Sequence, residues 1–220
     1  MKYKIPSELS RFLAIMRPVI ASKYLKNNPE PKLHLGCGSN YIHGWLNADK
    51  FDSRADIYLN AYKKFPFEDN TFNFLYSEHM LEHLKITRVE HFFKECFRVL
   101  KPDGIFRITV PDLELVARKY VEKDHEFFEP YLKKGEVRRA SGNKKFWMVR
   151  SYGGVLNMFG TPYYSRHRWF YDYDTIKLCA EEVGFKNIVR QFFEKSQAAA
   201  LSKMDREHRQ FETVYVEMTK

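Results

Sequence analysis

Two glycines one residue apart close an apolar run at Leu33-His34-Leu35-Gly36-Cys37-Gly38-Ser39-Asn40, and a carboxylate, Asp49, follows a second run at Gly44-Trp45-Leu46-Asn47-Ala48. Glycine lets backbone approach a ligand where a Cβ would collide, and loop N–H groups can receive the ligand's polar end. A carboxylate at the tip of the next strand is placed to accept hydrogen bonds from a ribose diol. This order of residues suits a nucleoside-containing cofactor. Asp49 arrives thirteen residues after Gly36, sooner than the ~20 of dinucleotide folds, and the third glycine of that fingerprint is missing. The connection must be a very short helix or a turn. The competing reading is a plain turn between two strands, with Asp49 an ordinary strand-end residue.

Two histidine-bearing segments lie downstream. His79-Met80-Leu81-Glu82-His83 matches H-x-x-E-H, in which two histidines four apart on a helix bind zinc in inverted zinc proteases. That chemistry needs a third protein ligand and a long helix, and the strand expected over 72–77 leaves room for only a short turn. His83 is therefore expected to pack under the cofactor loop while His79 faces the cleft, with no metal required. The second segment is Ser165-Arg166-His167-Arg168-Trp169-Phe170. A histidine there can serve as a base, and flanking arginines can grip a phosphate or carboxylate. A solvated loop histidine between arginines is the plainer alternative. Tyr163, Tyr164, Trp169, Phe170, Tyr171 and Tyr173 could stack on a ring or sugar, although at least half of such aromatics are expected to fill core.

The elements that must position these groups follow from pattern. Apolar residues at Leu9, Phe12, Leu13, Met16, Ile20 and Tyr24 predict a helix over 7–27, kinked at Pro18. Strands are expected near 32–36, 45–49, 55–59, 72–77 and 104–110, and helices at 79–84, 88–100 and 112–123. Pro102-Asp103-Gly104 reads as a sharp turn into the strand at 104–110. Residues 124–170 lose that periodicity and read as a long basic and aromatic insertion. A helix near 173–183 and strands near 186–193 and 212–219 end the chain as a hairpin. The alternation predicts an α/β fold, a Rossmann-like seven-stranded, mostly parallel sheet with an antiparallel last strand and helices on both faces. The domains expected are a helical cap at 1–30 and a cofactor-binding domain at 31–220.

The chain has 220 residues, 44% hydrophobic and 30% charged, which suits one soluble domain with an appendage. No apolar run has membrane-spanning length, no secretory signal stands out, and Cys37, Cys96 and Cys179 have no framework spacing, which together predict a cytoplasmic protein. Most of the net charge of +9 lies in residues 131–150, where seven basic side chains (Lys133, Lys134, Arg138, Arg139, Lys144, Lys145, Arg150) face one acid, Glu136. That run is either a solvated face or a basic lip that recruits an anion.

Read together, Leu33 to Asn40, Asp49, Phe65-Pro66-Phe67-Glu68-Asp69-Asn70-Thr71-Phe72, Ser77-Glu78-His79-Met80-Leu81-Glu82-His83-Leu84 and Val99-Leu100-Lys101-Pro102-Asp103-Gly104 resemble the class I S-adenosylmethionine-dependent methyltransferases over roughly residues 32–190. The subgroup most resembled is the methyltransferase type 11-like set often associated with polysaccharide and cell-surface glycan genes. The resemblance implies S-adenosylmethionine as cofactor and S-adenosylhomocysteine as product. It places Gly36, Cys37, Gly38, Ser39 and Asn40 around the amino-acid portion, Asp49 on the ribose, Asn60 near the adenine, and Ser77, Glu78 and His79 beside the methionine. Asn60 stands where the family commonly has aspartate. The acceptor is expected to be a small or glycan-linked molecule methylated on oxygen, with His79 and His167 as candidate bases and Arg166, Arg168 and Tyr164 as candidate acceptor-binding residues. Alternatives of other kinds are a non-catalytic protein binding the cofactor or an anionic polymer, an RNA methyltransferase, and the zinc protease. Nucleic acid stays open as a substrate but is not favoured.

Overall fold

The computed structural model describes residues 19–52, 54–142, 149–160 and 167–220. Seven strands form one sheet: β1 (Lys32–Leu35), β2 (Leu46–Asp49), β3 (Ile57–Tyr58), β4 (Phe72–Glu78), β5 (Leu100–Pro111), β6 (Lys186–Gln191) and β7 (Thr213–Thr219), in the order β3-β2-β1-β4-β5-β7-β6. The first five pair in parallel, and β7 runs antiparallel between β5 and β6. This is the expected seven-stranded architecture. The helices are α1 (residues 19–27), α2 (Val89–Val99), α3 (Leu113–Val121), α4 (His125–Ala140), α5 (Tyr152–Gly160) and α6 (Tyr173–Val183).

Strand alternation divides the side chains between two faces. Leu33, Leu35, Leu46, Ala48, Leu75, Phe106, Ile108, Val110, Val214 and Val216 point to one face, where Phe92, Phe93 and Cys96 of α2 and Ile176 and Ala180 of α6 complete the main core. The other face is polar. His34, Asn47, Arg107 and Glu217 are all buried there, and the helical turn Ala199–Leu201 brings Leu201 against Trp45 and Tyr76. Arg107 is fully buried, with its guanidinium paired to Asp205 at 2.5 Å and Glu217 at 2.8 Å and donating to the carbonyls of Lys195 and Phe192.

Three expectations change in detail. Pro102-Asp103-Gly104 lies inside β5 rather than before it: Asp103 adopts φ 60°, and the register against β4 shifts between Phe72 and Phe74, so the expected turn is a bulge. The helix expected at 79–84 shrinks to a single tight turn, Leu81–His83. The described part of the insertion is helical: α4 and α5 build their own small core from Phe127, Phe128, Tyr131, Val149, Val155 and Phe159 against Val116 of α3. Its signal was masked by Pro130 inside α4 and by the charges between the apolar positions. Of the predicted N-terminal helix, α1 is described, and residues 1–18 with Pro18 lie outside the described residues. α1 is tied to the sheet by the Tyr24 hydroxyl, which meets the backbone of Lys32 and the carbonyl of Gly44. Among the described residues no helix is long and apolar enough to cross a membrane.

Candidate active site

The chain turns from β1 to β2 on one side of β1, while β4 lies on its other side, so the loops at the carboxyl ends of β1 and β4 diverge. Open α/β sheets bind ligands at such a switch point. A cavity of about 500 Å³ opens there, within the size range of small-molecule sites. Its wall takes Leu35 and Gly36 from the end of β1, Asp49, Lys50 and Phe51 from the end of β2, Leu59 to Tyr62 from beyond β3, and His79, Met80, His83, Leu84 and Arg168 from the far side.

The glycine loop is built as the sequence suggested. Gly36 has φ +70°, and a Cβ there would stand 2.3 Å from Met80 Cγ, so only glycine lets the two walls close. Gly38 has φ +50°, and nothing lies within 4 Å of where its Cβ would be, which leaves the loop rim open to a ligand. The Gly38 N–H donates to Asp49 Oδ2 at 3.0 Å, while Asp49 Oδ1 accepts from the N–H groups of Phe51 and Asp52 at 2.5 and 2.9 Å. Two ionised oxygens offer about four acceptor positions, so three are filled by backbone and one remains for a ligand hydroxyl. Asn60 uses its amide oxygen to accept from the Tyr62 N–H at 3.1 Å. These features suit a nucleoside with a polar tail: a carboxylate for a diol, a close backbone loop, and an apolar stretch of Phe51, Leu59 and Ala61 for a ring.

Other expected cofactor residues sit elsewhere. The Cys37 side chain is buried, and burial, with the charges of Asp49, Asp52 and Asp56, pushes its thiol up to about 12, so it stays protonated and inert. Ser39 is exposed, away from the cavity lining. The Asn40 amide donates to Glu78 at 3.3 Å, and Glu78 also holds Arg206 Nε at 2.5 Å. Glu78 thus anchors the connection between β6 and β7. Ser77 is fully buried, and its hydroxyl has no hydrogen-bond partner among the described residues.

Opposite the glycine loop, three histidines surround Glu82. The backbone carbonyl of Glu82 accepts from the N–H groups of Arg168 at 2.6 Å and Trp169 at 3.4 Å, which stitches the 81–83 turn to the return of the insertion and brings His167 against it. His83 and His167 meet edge to face with centroids 5.0 Å apart. His167 Nδ1 lies 3.0 Å from the Phe159 carbonyl. A carbonyl only accepts, so Nδ1 carries the proton and Nε2, 3.9 Å from Glu82 Oε1, is the ring's acceptor atom. Burial holds the His167 pKa below the usual histidine value against the pull of Glu82. His79 adopts φ 49° and is held through Nε2. The Thr213 hydroxyl donates to the Arg209 carbonyl at 2.7 Å, so His79 Nε2, 2.9 Å away, must donate to Thr213, and Nδ1 faces Glu82 Oε1 at 3.4 Å. Burial raises the Glu82 carboxyl, but His79, His83 and His167 outweigh it and hold it below its ordinary value.

Arg166, Tyr163 and Tyr164 lie outside the described residues, whereas Arg168 reaches the cavity wall. Of the other aromatics, Tyr171 is fully buried, Phe170 stacks on Phe159, and Trp169 is exposed. Lys50, Phe51, Tyr62, His83 and Leu84 line the cavity without having been singled out for it. On that side of the pocket the sequence had pointed to Asp49 and Asn60, and Phe51 lies two residues past the strand-end acid.

Comparison with known proteins agrees with this geometry. A family model described as a methyltransferase domain matches residues 33–108, which span the glycine loop, Asp49 and the histidine turn. A SAM-dependent methyltransferase from Archaeoglobus fulgidus superposes with a TM-score of 0.50 at 16% identity, covering 96% of this chain and 94% of that one. A structure from Thermotoga maritima, titled a SAM-dependent methyltransferase and possible histamine N-methyltransferase, gives a TM-score of 0.49 at 14% identity, covering 96% and 98%. No curated protein matches the sequence. Residues 33–108 thus match the model of a methyltransferase domain, and the sheet around them shares the fold of the Archaeoglobus fulgidus protein.

Proposed function

We propose that the protein transfers a methyl group from S-adenosylmethionine to an oxygen of a small or glycan-linked acceptor that carries a negative charge. The observation that carries the cofactor assignment is the Gly36–Gly38 loop closed onto the Asp49 carboxylate at the mouth of a cavity at the sheet's switch point. Bound there, the cofactor supplies a methyl group already activated by its sulfonium, so the protein's work is alignment and exclusion of water. Asp49 accepts from one ribose hydroxyl through its remaining position, the Gly36 and Gly38 backbone passes along the amino-acid portion, and Asn60 lies toward the base. An oxygen nucleophile must also lose a proton, a step worth about 10²–10⁴-fold in rate. His167 is favoured for it, because Nδ1 is bound to the Phe159 carbonyl, which leaves Nε2 as its acceptor atom, and its ring packs against His83 of the cavity wall. His79 is fixed beside Glu82 by the hydrogen bond from its Nε2–H to Thr213. Arg168 supplies charge for an anionic acceptor, as Arg166 and Tyr164 do in the sequence reading. The cytoplasm is the proposed location.

The test is transfer of labelled methyl groups to a panel of anionic alcohols and glycans, with matched amines as controls. His167→Ala should stop turnover on hydroxyl acceptors while S-adenosylhomocysteine still binds. Unchanged turnover in that variant, or transfer confined to the amines, contradicts the oxygen reading.

A further inference from the structure

We infer that Glu82, His83 and His167 form a binding site for one divalent transition-metal ion at the wall of the cofactor cavity. One ligand atom from each lies within 4.8 Å of the others, and tetrahedral bonds of about 2.0–2.2 Å to a common ion would draw them to about 3.4 Å, a closure that side-chain rotation must supply. Two imidazoles and a carboxylate are the donor set of three-ligand sites that keep an open position, and they favour zinc, iron, manganese or cobalt over magnesium or calcium.

Several features separate this group from a chance cluster. Glu82 is 1% exposed, yet neither of its carboxylate oxygens accepts a hydrogen bond among the described residues. A buried carboxylate left so poorly met costs several kcal/mol unless a cation faces it. His79 Nδ1 and His167 Nε2 both approach Glu82 Oε1, at 3.4 and 3.9 Å, and His83 completes the group. The His167 Nδ1–H donates to the Phe159 carbonyl, the outer hydrogen bond that fixes a metal-binding imidazole with Nε2 toward the ion. The two ligand segments are joined through backbone, from the Arg168 and Trp169 N–H groups to the Glu82 carbonyl, so the spacing of His167 from Glu82 does not depend on flexible side chains alone. The H-x-x-E-H motif therefore acts without the long helix of a zinc protease: Glu82 and His83 ligate from a tight turn, and the third ligand comes from the far end of the insertion.

His83 lines the cavity, so the ion's open position faces the ligand space. Resting on the methyltransferase reading for its identity, the group that takes this position is the acceptor oxygen. Held there, the ion would lower the pKa of that hydroxyl; His167 would then act as a ligand in place of a base, and the proton would leave to water.

The experiment is calorimetry of the full chain, stripped with a chelator, against zinc, manganese and magnesium chlorides, with cobalt absorption as a second readout. One zinc or manganese ion should bind per chain, and magnesium should bind at least tenfold more weakly. His83→Ala and His167→Ala should each weaken zinc binding at least tenfold and abolish the cobalt visible bands, and Glu82→Gln should do the same with its volume kept. Retained S-adenosylhomocysteine binding shows that each variant is folded. Asp49→Ala should lose S-adenosylhomocysteine and keep zinc, so failure of the cofactor reading and failure of the metal site are read separately. Absence of zinc and manganese binding, or binding unchanged in all three ligand variants, overturns the inference.

Discussion

At the residue scale, the chemistry of the cofactor side rests on a few atoms whose roles were written in residue type. Gly36 is the clearest. Its left-handed backbone alone costs a non-glycine residue roughly 1–2 kcal/mol, and a methyl group there would collide with Met80. Gly36→Ala should therefore lower stability by about that amount or more and weaken S-adenosylhomocysteine binding at least tenfold; an unchanged melting temperature and affinity would show that the loop is not held as described. His34 carries a second prediction. Its Nδ1–H donates to Asn47 Oδ1 at 3.1 Å, and burial pushes its pKa down to about 4. The unfolded chain takes up a proton near pH 6.5 and the folded one does not, so the stabilisation is present above pH 6.5 and is lost as pH falls from there toward 4. The loss attached to this group is on the order of 3 kcal/mol. Urea unfolding between pH 7 and 4 should show it, and His34→Gln should flatten that slope. Glu82 was not legible in this way: H-x-x-E-H named the residue, but the role of its carboxylate depends on His167, distant in sequence.

At the scale of elements, the strands were readable because apolar runs end in glycine, proline or acid, and the helix expected near 173–183 is α6, capped at both ends. Asp172 accepts from the Thr175 N–H at 2.8 Å, and Gly184 closes the helix at φ 106°. The α4–α5 pair was not readable, since its apolar residues meet each other and α3 only in three dimensions. Charge on a central strand was the other surprise. Arg107 sits in β5 where an apolar residue is the default, and its meaning depends on Asp205 and Glu217, which reach it from the end of the chain. Removing one partner from such a buried group leaves the others unmatched. Arg107→Met should cost about 3–5 kcal/mol in urea unfolding; a loss below 1 kcal/mol would mean that Asp205 and Glu217 are relieved by water.

At the scale of the whole molecule, the sheet order puts four strand ends at one edge of one cavity, and the chain's second half is spent on what faces them. The insertion returns through His167 and Arg168, and the connection between β6 and β7 anchors on Glu78 and Arg107. Lys133, Lys134 and Arg138 are exposed on α4, so that part of the basic run is a solvated face of the insertion, with Lys133 paired to Glu129. The central claim is that the cavity between the glycine loop and the histidine turn is a cofactor site centred on Asp49. Calorimetry of S-adenosylhomocysteine against the wild-type chain and Asp49→Ala tests it most directly. Micromolar binding by the wild type, with no measurable heat from a folded Asp49→Ala, is the predicted result. No binding by the wild type, or equal binding by both, would contradict it.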